Sequence, residues 1–244
     1  MGSMRRLAAI GCALFLSAYA GMGAVTAAKA QGIKRVGIIS AIGDQFEIRK
    51  IGVMVFGNEL ASVPIQWGID DLVTAKARAL LSRRFEVRPV SYQRSAFASL
   101  SDSEHALSDA LRASASAQGV DAYVVITRSL NKFGTTNQYV AGLGIVSGGP
   151  LNSDIFAHAT YTVTVMDARE SARISYAAAS LPGTSFLSSW GLGGCYLHGP
   201  CRKLEASAFP TSHDPAQVAK LKSIIVDLIE QSLPEALRKV QLVD

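Results

Sequence analysis

The chain has 244 residues, 49% of them hydrophobic and 18% charged, with a formal net charge of +5, three cysteines and four histidines. This balance suits a folded domain with a real core and argues against a disordered chain. Three of the cations, Arg5, Arg6 and Lys29, lie in the first 30 residues, which hold no acid. The remaining 214 residues carry only +2, too little for the clustered basic face that nucleic-acid binding requires.

The N-terminus reads as a cleavable secretory signal. Arg5 and Arg6 form a short positive region, Leu7 to Ala20 is apolar apart from Ser17, and Ala28-Lys29-Ala30 is an Ala-x-Ala cleavage site before Gln31. The apolar run falls short of the roughly 20 residues of a membrane span. Cys12 lies inside that run rather than after it, which argues against lipid attachment. The expected organisation is a signal peptide over 1–30 and one mixed α/β domain over 31–244, located in the periplasm.

Lys34 to Ile42 reads as a strand, Gly43-Asp44 as a turn and Phe46 to Phe56 as a second strand, so that a β-hairpin opens the domain. Gly57 to Gly68 reads as a loop. A helix follows, with Asp70 and Asp71 in its first turn, Arg83 and Arg84 in its last, and Ile69, Leu72, Val73, Ala77 and Leu80 as its buried stripe. Phe85 to Tyr92 is a strand. The next helix is bounded by a Ser101/Glu104 capping box and by Gly119 at its end. Val120 to Ser129 is an apolar strand.

The segment 133–150 loosens, with five glycines and no sustained charge. Phe156 to Met166 alternates Tyr161, Val163 and Val165 with Thr160, Thr162 and Thr164, and returns through a turn as Ala172 to Ala179. Leu181 to Ser212 is a long connection holding both remaining cysteines, and loops of such length in compact domains are commonly functional. A final helix starts at Asp214 with Pro215 in its first position, and Pro234 is expected to kink or end it. The fold class expected is therefore α/β, a mixed sheet with helices packed on it. The expected core is Val36, Ile38, Leu80, Val87, Leu111, Val124, Ile126, Val163, Val165, Leu221, Ile225 and Leu228.

The helix running into Gly119-Val120-Asp121-Ala122-Tyr123-Val124-Val125-Ile126 resembles a segment of the TolB amino-terminal-domain and curli-secretion-channel (CsgG-like) superfamily. The hairpin from Tyr161 to Ala168, returning through Arg173-Ile-Ser-Tyr-Ala, is similar to theirs, and the C-terminal helix also fits. The resemblance spans roughly residues 70 to 240 in element order. It implies an anticodon-binding-like α/β domain used for envelope assembly or protein contact, without catalysis. It carries no functional residue over, and the lack of a lipid-attachment cysteine or a following propeller implies neither a lipid-anchored pore subunit nor a whole TolB.

No constellation points to chemistry. Asp44 and Asn58-Glu59 resemble metallophosphoesterase signatures, but no histidine stands before His105 to complete a two-metal cage. No Gly-x-Ser-x-Gly elbow occurs, and His158 on its strand reads as packed or solvent-facing rather than as a base. Cys195, His198 and Cys201 would need a further metal ligand, with His213 the nearby candidate, so a Cys195–Cys201 disulfide is the favoured reading in an oxidising compartment. Catalytic, cofactor and metal residues are thus expected to be absent. Phe186, Trp190, Tyr196 and His198, beside the cysteines, are the candidate contact residues, because aromatic side chains anchor interfaces at low entropic cost.

The favoured function is a periplasmic accessory or binding protein that contacts a protein partner in the cell envelope. Two alternatives stand beside it. One is a secreted hydrolase whose site is assembled from scattered residues. The other is an oligomeric subunit inserting the glycine-rich segments 133–150 and 182–200 into a membrane.

Overall fold

A computed structural model describes residues 32–52, 57–98, 103–115, 118–134, 136–148, 154–183, 195, 197, 199–210 and 215–244. The signal region therefore lies outside the described residues. The strands are β1 (Arg35–Ala41), β2 (Gln45–Lys50), β3 (Glu59–Pro64), β4 (Glu86–Arg88), β5 (Ala122–Arg128), β6 (Leu130–Lys132), β7 (Tyr139–Ser147), β8 (Ile155–Asp167), β9 (Arg173–Ala178) and β10 (Cys201–Leu204). The helices are α1 (Ile69–Leu81), α2 (Ser95–Ala98), α3 (Glu104–Ser114), α4 (Pro215–Ala219) and α5 (Lys222–Lys239). The fold is α/β, one mixed sheet in the order β3-β2-β7-β8-β5-β1-β4, with β9 and β10 also pairing β8 and β6 pairing β7.

The first correction concerns the chain's start. β1 pairs in parallel with β4 and β5, while β2 pairs with β3 and β7, so β1 and β2 form no hairpin. Both edges of β1 are filled and six of its seven residues are buried, the near-continuous burial expected of a strand inside a parallel sheet. The hairpin is instead β2–β3, which places a strand inside the segment expected to be a loop.

Helices cover both faces. On one, Val36, Ile38, Val124, Ile126, Val163 and Val165 pack with Val73 and Leu81 of α1 and with Ile225, Leu228 and Leu233 of α5. On the other, Ile39, Tyr123, Val125 and Met166 pack with Phe97 of α2 and with Leu107 and Leu111 of α3. The expected core residues are buried except Leu80 and Val87, which pack half-buried against it. In α1 the stripe runs through Leu81 rather than Leu80, Leu72 is half-buried, and the helix ends before Arg83 and Arg84.

Other boundaries moved for local reasons. Ser103 caps α3, its hydroxyl accepting from the Ala106 N–H, and Glu104 reaches Arg173 at 3.0 Å instead of closing a capping box. Ser101 lies outside the described residues. α3 stops at Ser114, so Gly119, at φ 70, turns the chain into β5 rather than ending the helix. β4 keeps only three of the eight residues expected to be extended. The segment 133–150 contains β7, nine residues at the centre of the β2–β8 half. The C-terminal helix is split into α4 and α5, and Pro234 sits inside α5 without ending it. A proline there costs about 3 kcal/mol, and buried Ser232, Leu233, Ala236 and Leu237 around it hold the turns in place.

Candidate contact site and the polar cluster beneath it

β8 is long enough to pass through both halves of the sheet. Its first half pairs with β7 on one edge and β10 on the other; its second half pairs with β5 and β9. Both faces of β8 are buried, so its threonines do not mark a solvent side. On the face opposite α1 and α5, Phe156 packs with Phe133, Val140, Val146, Leu197, Cys195 and Cys201. The Phe133 and Phe156 rings lie 6.1 Å apart.

Cys195 and Cys201 form a disulfide, as the sequence suggests, with their Cα atoms 6.1 Å apart and both residues buried. The pairing removes both sulfurs as metal ligands, and no group of three or more His, Cys, Asp or Glu side chains suited to a metal occurs among the described residues. Cys201 opens β10, directly opposite His158 on β8. The strand is tied further by the ion pair of Arg202 with Asp227 of α5 and by that of Lys203 with Asp154 at 2.9 Å. The Arg202 hydrogen bond holds the Asp227 carboxyl below its ordinary range. Between the cysteines, Gly199 passes so close to the sheet that a Cβ would stand 3.0 Å from Thr160. The end of the 181–212 connection is thus a strand anchored on the sheet, not an unsupported loop. Phe186, Trp190, Tyr196 and His198 lie outside the described residues.

Beside this anchor, in register with Cys201, is a polar cluster that the sequence reading did not identify. Glu47, Gly144 and His158 stand in register across β2, β7 and β8. His158 is fully buried; its Nδ1 lies 3.2 Å from the Gly142 carbonyl oxygen, and Nε2 has no hydrogen-bond partner. With Nδ1–H donating, Nε2 is a bare acceptor. A Cβ on Gly144 would fall 2.5 Å from the Glu47 carbonyl oxygen and 2.7 Å from Nε2, so only glycine lets the ring lie there. Glu47 Oε2 and Arg49 Nε are also buried without hydrogen bonds, and the Arg49 guanidinium approaches Glu47 at 3.8 Å. Burial pushes the Glu47 carboxyl up against the opposing pull of Arg49. Burial, with Arg49 adding to it, holds His158 at about 4. A ring with no exposed atom cannot reach a substrate, so the geometry assigns this histidine to packing, not to base catalysis. Two signals were available: Glu47 and Arg49 alternate along one strand, and Gly142-Leu-Gly144 leaves bare backbone beside a histidine strand.

The carboxyl ends of β1 and β5, where open α/β sheets usually hold ligands, adjoin Gly142. A cleft of about 180 Å³ is lined there by Gly43, Asp44, Trp67, Asp70 and Arg94. Its buried carboxylate is already committed. Asp70 accepts from the Ser40 hydroxyl at 2.7 Å and the Ile42 N–H at 2.8 Å, and Arg94 lies 3.5 Å away. These bonds splice the end of β1 to the start of α1, which is a structural role. Asn58 takes the Gly52 N–H at 3.0 Å and Glu59 pairs with Lys50 across the hairpin, so neither belongs to a metal cage.

No protein-family model matches the chain, and no curated protein matches it. Among solved structures it is similar to protein XCC0632 from Xanthomonas campestris, of the family DUF330, at 10% identity and a TM-score of 0.35. The match covers 86% of this chain and 81% of that one, and at this TM-score it carries no argument about function.

Proposed function

We propose that the protein is exported and acts as a periplasmic accessory or binding protein, contacting an envelope partner through the connection between β9 and β10. The observation that carries this reading is the Cys195–Cys201 disulfide and its position. Disulfides persist in oxidising compartments and are rare in the cytosol. This one is buried against the central strand β8, so it fixes the end of a connection whose sequence supplies Phe186, Trp190, Tyr196 and His198 as contact residues. The resemblance to the TolB amino-terminal-domain and CsgG-like superfamily supports the same role. Processing after Ala30 would release the mature form.

Site-specific photo-crosslinking in intact cells tests the reading. A probe at Trp190 or Tyr196 is expected to capture one common envelope protein, whereas a probe at exposed Arg78 on α1 is not. Equal capture from Arg78, or none from the connection, overturns it. Mass analysis of the periplasmic protein is expected to begin at Gln31, and retention of Arg5 and Arg6 there would contradict export with cleavage.

A further inference from the structure

We propose that β3 is the docking edge for a second copy of this chain, whose own β3 pairs with it antiparallel across a two-fold axis at Ala61. A strand at the end of a sheet presents unpaired N–H and C=O groups, and folded proteins blunt such edges with short strands, cations, bulges or proline. The other outer strands carry those devices. β4 and β6 have three residues each, and β10 has four, two of which are Arg202 and Lys203. The ladder of β9 with β8 has a register shift at Val165/Met166. Its Arg173 is held by Glu104, with the guanidinium carbon 4.6 Å from the centre of the Tyr176 ring. β3 lacks these devices along its length. It keeps unbroken register with β2 through six residues, carries no Lys or Arg, and meets proline only at its last position.

Which backbone groups face outward follows from one hydrogen bond. The Ile65 N–H donates to the Asp44 carbonyl at 2.7 Å, so the backbone at Ile65 points toward β2. Direction alternates along a strand, which turns Val63, Ala61 and Glu59 toward β2 as well. The N–H groups of Leu60 and Ser62 and the carbonyls of Leu60, Ser62 and Pro64 therefore point away from the sheet. Pro64 sits where its missing N–H is not needed. Among the described residues no other backbone group bonds to these outward ones. Ala61 and Val63 turn their side chains to the α1–α5 core, while Leu60, at 58% exposure, is the most exposed large hydrophobic residue described.

The chemistry of this edge fits its own copy. With Ala61 on the axis, Leu60 stands opposite Ser62 of the second copy. Each Leu60 N–H then donates to a Ser62 carbonyl of the other copy, and each Ser62 N–H to a Leu60 carbonyl, so both outward donors are satisfied. The same register makes the two Leu60 side chains diagonal neighbours on one face, about 7–8 Å apart, and covers apolar surface that one copy leaves exposed. The single charge of β3 is Glu59, taken up by Lys50 of its own hairpin at 3.4 Å. Antiparallel pairing keeps the two Glu59 at opposite ends, whereas parallel pairing would set them side by side. A neutral edge gives a foreign strand nothing to recognise by charge, while its donors and acceptors match themselves under the two-fold, as isologous interfaces do. β3 and β10 are outer strands on opposite sides of the β2-β7-β8 ladder, so the dimer forms away from β10.

Six residues make a small interface, below the roughly 1,200 Å² of stable ones, so the dimer should form as concentration rises. Sedimentation velocity and amide exchange of the oxidised protein, followed from low micromolar to millimolar concentration, test it. A monomer that becomes a dimer is expected. Exchange at the Leu60 and Ser62 amides should slow about tenfold when nine-tenths of the protein is dimer, with no such change at Ala61, Val63 or β9. Leu60→Lys should abolish the dimer, and Tyr176→Lys on the β9 edge should leave it intact. The proposal is overturned if the protein stays monomeric at millimolar concentration, or if a dimer leaves the Leu60 and Ser62 amides exchanging freely. A dimer that survives Leu60→Lys, or is lost in Tyr176→Lys, overturns it too. Should Leu60→Lys not fold, the wild-type exchange pattern decides, because pairing through β3 protects Leu60 and Ser62 and not Ala61 and Val63.

Discussion

The two halves of the sheet solve the problem of buried polarity differently. In the parallel half, β4-β1-β5, helices lie on both faces, and buried Asp70 and half-buried Asp121 are both bonded. Asp70 takes up the chain end of β1, and Asp121 accepts the Lys34 and Arg35 N–H groups together with the Arg35 guanidinium at 2.7 Å. In the β2-β7-β8 half, α5 covers one face, Cys195, Leu197 and Cys201 pack on the other, and the four-residue strand β10 extends the sheet beside β8. Three polar atoms, on Glu47, Arg49 and His158, are left without hydrogen bonds there. A buried polar group without a partner costs about 1–3 kcal/mol. The second half is thus the less stable place, and it is the half to which the Cys195–Cys201 connection is attached.

Four variants sharpen or break that contrast. Leu111→Ala empties a fully packed site between α3 and the parallel half and should cost about 2–5 kcal/mol in chemical denaturation. A loss below 1 kcal/mol would show that half to be no tighter than the other. Gly144→Ala should cost about 3 kcal/mol, the upper end for overpacking, because the new methyl meets the Glu47 carbonyl oxygen and the His158 ring. If the variant melts like the wild type, His158 does not lie over Gly144. Replacing Cys195 and Cys201 by serine opens a short loop, of sequence separation 6, and should cost about 2 kcal/mol. Exchange should then increase in β10 and not in β5; a uniform increase would make the disulfide a support of the whole sheet. Trp190→Ala with Tyr196→Ala should move stability by a few tenths of a kcal/mol, as surface substitutions do, while abolishing crosslinking. A large drop in Tm would instead assign these aromatics to the core.

Much of the architecture was readable because the signals were local. The burial of Val124, Ile126, Val163 and Val165 follows from runs of β-branched residues, and α1 from its spacing of apolar positions. The disulfide followed from two cysteines close in sequence and the expectation of an oxidising compartment. The readings that failed share one cause. Gly43-Asp44 is a turn in either topology, so it could not say whether β2 returns along β1 or leaves for β7. Gly142 and Gly144 removed the side-chain alternation by which β7 would have been seen. β10 is too short to announce itself, and it exists because β8 offers it an edge. The polar cluster was invisible for the same reason: Glu47 and His158 are 111 positions apart and become neighbours only through β7.

By itself the sequence determined the class of the fold, the faces of its main strands and helices, and the pairing of its cysteines. Each depends on residues close along the chain or on a choice among very few partners. Tertiary structure alone decided which strands are neighbours, that β8 serves both halves, and that a buried histidine stands in register beside a disulfide cysteine. Strand order is set by which apolar faces and open edges meet in the packed state, and no local propensity carries that information.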